Sequence, residues 1–202
     1  MEEIRMMHIA RLWLQLALLF CAGAYAGPVT EPLATGKALV ATANLHGTSF
    51  EKTVILITQA DRQGTLGITI NRPAHRNLIE FFPDLNTKTG NRPLYLGGPV
   101  HPQALFVLAR TQARESWISV IADIYFTGGA TAYSYLKQAQ NDSPESSLRV
   151  FAGYTGWASG QLENEIQRGD WLVTAIDPKV IFSLEPERTW DHLYRSNSGK
   201  WI

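Results

Sequence analysis

A chain of 202 residues is long enough for one domain, or at most two small ones. It is 45% hydrophobic and 18% charged, a globular balance that excludes a disordered tail, a collagen-like chain and a coiled coil. Its 18 Lys and Arg offset 18 Asp and Glu. The basic excess of a protein that grips phosphate backbones is missing, so direct nucleic-acid binding is not expected.

The N-terminus reads as an export signal. Arg5, His8 and Arg11 precede an apolar run from Leu12 to Ala24, broken only by Gln15, and Ala24-Tyr25-Ala26 follows as a small-x-small site. This pattern predicts a secretory signal peptide, residues 1–26, cleaved after Ala26. The run is shorter than the roughly 20 residues a spanning helix needs. Cleavage removes Cys21, the single cysteine, so neither an intramolecular disulfide nor a cysteine zinc site is possible. The expected location is the periplasm, or the cytoplasm if the segment is not a working signal. No later stretch is apolar and long enough to cross a membrane.

Residues 27–35 read as an extended leader with two prolines. Strands are predicted at Lys37–Ala43, at the β-branched run Thr53–Thr58 and, after the turn Asp61–Gly64, at Thr65–Asn71, with Pro73 ending the hairpin. Asn77–Phe82 has helical spacing, and residues 84–93 are loop-like. Strands follow at Leu94–Leu96 and Ala104–Arg110 around Gly97-Gly98-Pro99. Trp117–Phe126 alternates as one strand, with Ile118, Val120, Ala122, Ile124 and Phe126 on one face. Thr131–Gln140 reads as a helix and Asn141–Ser147 as a loop. Leu148–Tyr154 reads as a strand, Gly160–Arg168 as a helix, Trp171–Ile176 as a strand, Pro178–Ser183 as a helical turn and Glu187–Arg195 as a helix, with 196–202 a frayed tail. Strands cluster early and helices late, so the fold class is α+β, a single domain spanning 36–195.

The usual catalytic signatures are missing. There is no Gly-x-Ser-x-Gly elbow, no phosphate-binding Gly-Lys-Ser/Thr loop and no Gly-x-Gly-x-x-Gly. His46, His75, His101 and His192 have no histidine three to five residues away, so neither a metal nor a cofactor is expected. Asn71-Arg72-Pro73 forms a small basic cluster with His75 and Arg76, whose forked guanidinium groups suit a phosphate or carboxylate. Glu163 and Glu165 lie two apart on a helix and point to different sides.

Several strings in order carry a resemblance. They are Gly36–Ala41, Phe50–Leu56, Gly64–Pro73, Leu94-Tyr-Leu-Gly-Gly-Pro-Val100, Gly153-Tyr-Thr-Gly-Trp-Ala-Ser-Gly-Gln-Leu-Glu-Asn-Glu-Ile166 and Asp170-Trp-Leu172. Together they resemble the bacterial YqgE/AlgH family from about Gly36 to Arg195. The resemblance implies a β-sandwich or half-barrel flanked by short helices, and it carries over no catalytic residue. One branch of that family is labelled a transcriptional regulator of exopolysaccharide production. Members are usually cytoplasmic and begin near the first strand, unlike this chain. His46-Gly47-Thr48 also stands where an acidic residue is expected, and Gln59 where a histidine is.

The glycines of the long motif allow a sharp turn into the helix, with Trp157 folded back to plug the sheet end. Alternatively Trp157, Gly160, Gln161 and Glu163 wall a ligand pocket roofed by Gly97, Gly98 and Pro99 and edged by Asn71, Arg72 and Pro73. Three functions compete. The first is a non-catalytic regulatory protein of the cell envelope that binds a small molecule or an envelope protein. The second is a hydrolase or transferase using His101 or Glu163 near Arg72. The third is a cytoplasmic, transcription-linked regulator, which export would exclude.

Overall fold

In the computed structural model, residues 32–85, 87–138, 147–182 and 185–198 are described. The expected signal peptide, the first part of the leader and residues 141–146 of the expected loop lie outside them. The strands are β1 (Ala38–Ala41), β2 (Val54–Asp61), β3 (Gly64–Thr69), β4 (Pro73–Asn77), β5 (Pro93–Leu96), β6 (Val100–Arg110), β7 (Ile118–Ile121), β8 (Ile124–Gly128), β9 (Leu148–Ala158) and β10 (Trp171–Thr174). The helices are α1 (Thr87–Gly90), α2 (Gly129–Gln138), α3 (Gln161–Gln167), α4 (Pro178–Ile181) and α5 (Thr189–Ser198). The expected α+β class holds.

All ten strands belong to one open sheet in the order β10-β1-β2-β3-β9-β6-β8-β7, with β4 and β5 attached through β9. Every pairing is antiparallel except β5 with β9. Strand β9 joins β3 to β6 in the middle of the sheet. Its residues 150–152 pair with β5, and 155–158 pair with β3. Gly153, between the two, has φ +72°, and a Cβ there would lie 2.4 Å from the Gly98 carbonyl oxygen. Only glycine fits a left-handed backbone this close to another chain segment.

Alternation along each strand then builds three apolar clusters. The central one joins Val40, Val54, Leu56 and Ile68 from one half of the sheet to Leu108, Ile124, Phe126 and Phe151 from the other. Leu193 of α5 closes its end. A second packs Leu105, Val107 and Val150 under Ala132 and Leu136 of α2. The third packs Leu39, Ile55, Ile57, Trp157 and Trp171 under Leu162 of α3. Side chains of 0–7% exposure fill all three. Each buried Leu, Ile or Phe contributes about 1.5–3 kcal/mol of transfer free energy.

Several expected boundaries change. Trp117–Phe126 is not one strand but the hairpin β7–β8, with Ile121 paired to Ile124. Ala122 carries φ +51° at the turn, and both turn residues are exposed. Asp123 is anchored by Arg110 at 2.6 Å. Period-two alternation does not record a reversal that uses no glycine, asparagine or proline.

The β2–β3 hairpin ends before Pro73, as expected, and Pro73 itself begins β4, an edge position where no N–H is needed. Asn77–Phe82 makes only a 3₁₀ turn, Leu78–Glu80, closed by an Asn77–Glu80 capping box. The loop expected at 84–93 contains α1. Strand β9 continues to Ala158, so Trp157 lies on a strand opposite Thr65 rather than in a turn. Helix α5 runs past Arg195 to Ser198, held by the Thr174 hydroxyl donating to Asn197 Oδ1 at 3.0 Å.

Candidate functional site

Thr69 of β3, paired with Ile55, shares a sheet face with Ile55 and Ile57, and period-two spacing puts Thr53, immediately before β2, on that face too. Beyond the helix-covered part of that face lies a cavity of about 220 Å³. It is lined by Ser49, Phe50, Thr53, Thr69, Arg72, Leu96, Gly98 and Pro99. The Gly97-Gly98-Pro99 turn is fixed over it by backbone bonds, Thr69 N–H to the Gly97 carbonyl at 2.9 Å and Gly97 N–H to the Ala152 carbonyl at 2.8 Å. Gly98 rests on β9, where a Cβ would meet the Thr155 hydroxyl at 2.5 Å. That hydroxyl is buried and has no hydrogen-bond partner among the described residues.

The cation is held by the loop before β2. One Nη of Arg72 donates to the Glu51 carbonyl at 2.8 Å, and Arg72 makes no ion pair among the described residues. The loop is braced by its own acid. Glu51 accepts from the Gly47 N–H at 3.0 Å and meets His46 Nδ1 at 2.8 Å. First the Gly47 N–H and then His46 hold this carboxyl below the usual carboxylate range. Phe50 is turned inward, its ring edge-on to Trp171 at 5.6 Å. The site therefore presents one guanidinium, three hydroxyl-bearing side chains and an apolar wall. Such groups suit a small anion with a hydrocarbon part.

The residues expected to form one pocket divide. Arg72, Gly98 and Pro99 line the cavity, and Gly97 fixes its roof through backbone bonds. Asn71 is buried and committed, its Oδ1 accepting from Val54 N–H at 2.8 Å and its Nδ2 donating to the Lys52 carbonyl at 2.9 Å. Pro73 pairs with Tyr95. Trp157, Gly160, Gln161 and Glu163 lie elsewhere, at the β9–α3 junction. There Trp157 and Trp171 both donate their indole N–H to Glu165 Oε2 at 2.9 Å, and Gln161 bridges from the Ala158 N–H to Glu165 Oε1. Trp157 thus caps an apolar cluster, and Glu163 is exposed on the other side of α3.

His101 stacks on Tyr154 at 6.0 Å, and neither it nor Glu163 lines the Arg72 cavity. Among the described residues no group of three His, Cys, Asp or Glu is placed to hold a metal ion, and no helix is long and apolar enough to cross a membrane. Sequence reasoning missed Ser49, Phe50, Thr53, Thr69 and Leu96. The threonine signal was available, since Thr53 shares a period-two face with Ile55 and Ile57.

A model of AlgH-like proteins (DUF179) matches residues 38–201, from the first residue of β1 through every strand and helix. The chain belongs to the AlgH-like family. A UPF0301 protein of Chlorobium luteolum is 34% identical to this AlgH-like chain over 173 residues, 84% of this chain and 88% of the relative. A UPF0301 protein of Mycobacteroides abscessus is 32% identical over 174 residues, 85% and 83% of the two chains. The solution structure of the AlgH protein from Pseudomonas aeruginosa aligns with a TM-score of 0.68 at 26% identity, covering 84% of this chain and 92% of that one. A Corynebacterium diphtheriae protein, at 22% identity and a TM-score of 0.68 over 88% and 94% of the chains, shares the fold. The family match takes in all residues of the Arg72 cavity.

Proposed function

We propose that this AlgH-like chain is a non-catalytic binding protein of the cell envelope, exported by residues 1–26, whose Arg72 cavity holds a small anionic ligand and reports its occupancy to an envelope partner. The observation that carries this reading is the cavity itself, where Arg72, without a carboxylate partner among the described residues, faces the same space as Ser49, Thr53 and Thr69. Arg72 is half-buried and donates to the Glu51 carbonyl, and a bound anion would add a charge-assisted hydrogen bond to the same guanidinium. Hydroxyls and a guanidinium can hold such a ligand, while His101 and Glu163, the side chains considered for acid–base work, lie outside the cavity.

The test has two parts. N-terminal sequencing of protein from fractionated cells should find Gly27 as the first residue in the periplasm; a full-length cytoplasmic chain would return the intracellular regulator to first place. A screen of small carboxylates by thermal unfolding should find one that saturates with a rise of roughly 5–10 °C at a hundred times its Kd. The rise should disappear in Arg72→Gln. Carboxylates that leave the melting temperature unchanged, or shift the variant equally, would remove the anion-binding reading.

A further inference from the structure

Leu96 is 49% exposed, unusually bare for a leucine at the end of a strand, and it lines two cavities rather than one. Beside it is a groove of about 460 Å³ in which Ala152 of β9 lies between Leu96 of β5 and Leu105 of β6, with Phe81, Phe82 and Pro102 completing the lining. The groove lies where β6 leaves its register with β9 between Val100 and Leu105, and His101 there takes φ +45°. Phe81, 47% exposed, is the second bare hydrophobic side chain at this place. The Leu96 N–H donates to the Arg72 carbonyl at 2.8 Å, so the shared wall and the cation are tied by backbone. Hydroxyls and a guanidinium therefore stand on one side of Leu96, and a mainly apolar groove edged by Arg76 and Gln103 on the other.

We propose that the two cavities form one elongated site for an amphiphilic carboxylate, a free medium-chain fatty acid with its carboxylate on Arg72 and its chain passing over Leu96 into the Phe81–Leu105 groove. This rests on the reading of the Arg72 cavity as a binding site and names its ligand class. Charge complementarity selects the head group: a forked guanidinium and nearby hydroxyls suit a carboxylate and offer little to an amine. The walls on both sides of the groove select a single chain rather than a bilayer surface. Arg76 is the rival anchor, since it also borders the groove with its guanidinium 5.8 Å from the Phe81 ring centre.

The test is calorimetric titration of the purified protein with acetate, hexanoate, octanoate, decanoate and decanol, each below its micelle concentration. Affinity should rise about fourfold per methylene. Arg72→Gln should weaken decanoate about 10- to 100-fold while leaving decanol unaffected. Ala74 also lines the groove, and Ala74→Trp, which fills it, should abolish the chain-length dependence; a circular-dichroism melt like the parent's shows that this variant is folded.

Acetate binding that needs Arg72 but does not tighten with chain length would overturn the elongated site and leave the anion-binding reading standing. No binding by any carboxylate would overturn both. Loss on Arg76→Gln rather than Arg72→Gln would overturn the head-group assignment. Association with phosphatidylglycerol vesicles in place of monomeric decanoate would show a membrane surface instead.

Discussion

Glu165 and Trp157, eight residues apart on α3 and β9, are joined by a 2.9 Å hydrogen bond from the indole N–H to the carboxylate. The same oxygen takes the indole N–H of Trp171, and the two rings meet edge to face at 6.1 Å. One carboxylate thus satisfies two largely buried donors and fixes α3 onto the sheet. Glu165→Ala would leave both without their acceptor. It should cost about 2–3 kcal/mol in urea unfolding, and Glu165→Gln, which keeps one acceptor oxygen, about half as much. Equal, small losses for both would show that the rings are held by packing alone.

Gly98 has φ +154°, and a Cβ would lie 2.3 Å from the backbone carbon and oxygen of Tyr154. A backbone neighbour cannot rotate away as a flexible side chain can. Gly98→Ala should therefore destabilise by about 3 kcal/mol or more, lowering the melting temperature by roughly 6–12 °C and opening the cavity roof. A circular-dichroism melt within about 2 °C of the parent would show that the Gly97–Pro99 turn yields freely.

Arg149 is 5% exposed. One Nη donates to the Ile70 carbonyl at 2.9 Å, and the guanidinium lies 4.3 Å from the Tyr95 ring centre. Burial pushes its pKa down. A desolvated cation on an aromatic face should couple by about 1–2 kcal/mol, measured by a double-mutant cycle of Arg149→Met and Tyr95→Leu. A coupling near zero would show that Tyr95 does not hold the arginine.

Asp84 is bound by Tyr133 and Lys137, tying the segment before α1 to helix α2. The Tyr133 hydroxyl, then Lys137, holds its pKa below the usual value, while the carboxylate raises those of Tyr133 and Lys137. A depressed carboxyl pKa contributes stability above its unfolded value of about 4, lost as pH falls through the folded value. The two raised groups contribute below about pH 10, and that part is lost as pH rises through their folded values. NMR titration should place Asp84 below a free aspartate and move it upward in Tyr133→Phe. No movement would remove the hydroxyl as the principal cause.

The amino-acid sequence determined the strand-rich α+β class, most of the strand cores and the inward faces of α2 and α3, because burial follows periods of two and 3.6 residues within one element. Ala132, Leu136 and Leu162 all occupy the buried positions those periods assign. It also carried the family, whose strings sit on β1, β2, β3, β5 and the β9–α3 junction.

Only the tertiary structure decided that β9 changes partners at Gly153, that Ala122–Asp123 reverses the chain, and that Trp157 meets Glu165 while Arg72 meets the Glu51 carbonyl. Arg72 and Trp157 both belong to the strings that carry the family resemblance yet face different neighbours, because partner choice depends on strand order. Local spacing does not record strand order. The candidate cavity joins Phe50, Thr69 and Pro99 from three separate segments, and no periodicity along the chain brings such residues together.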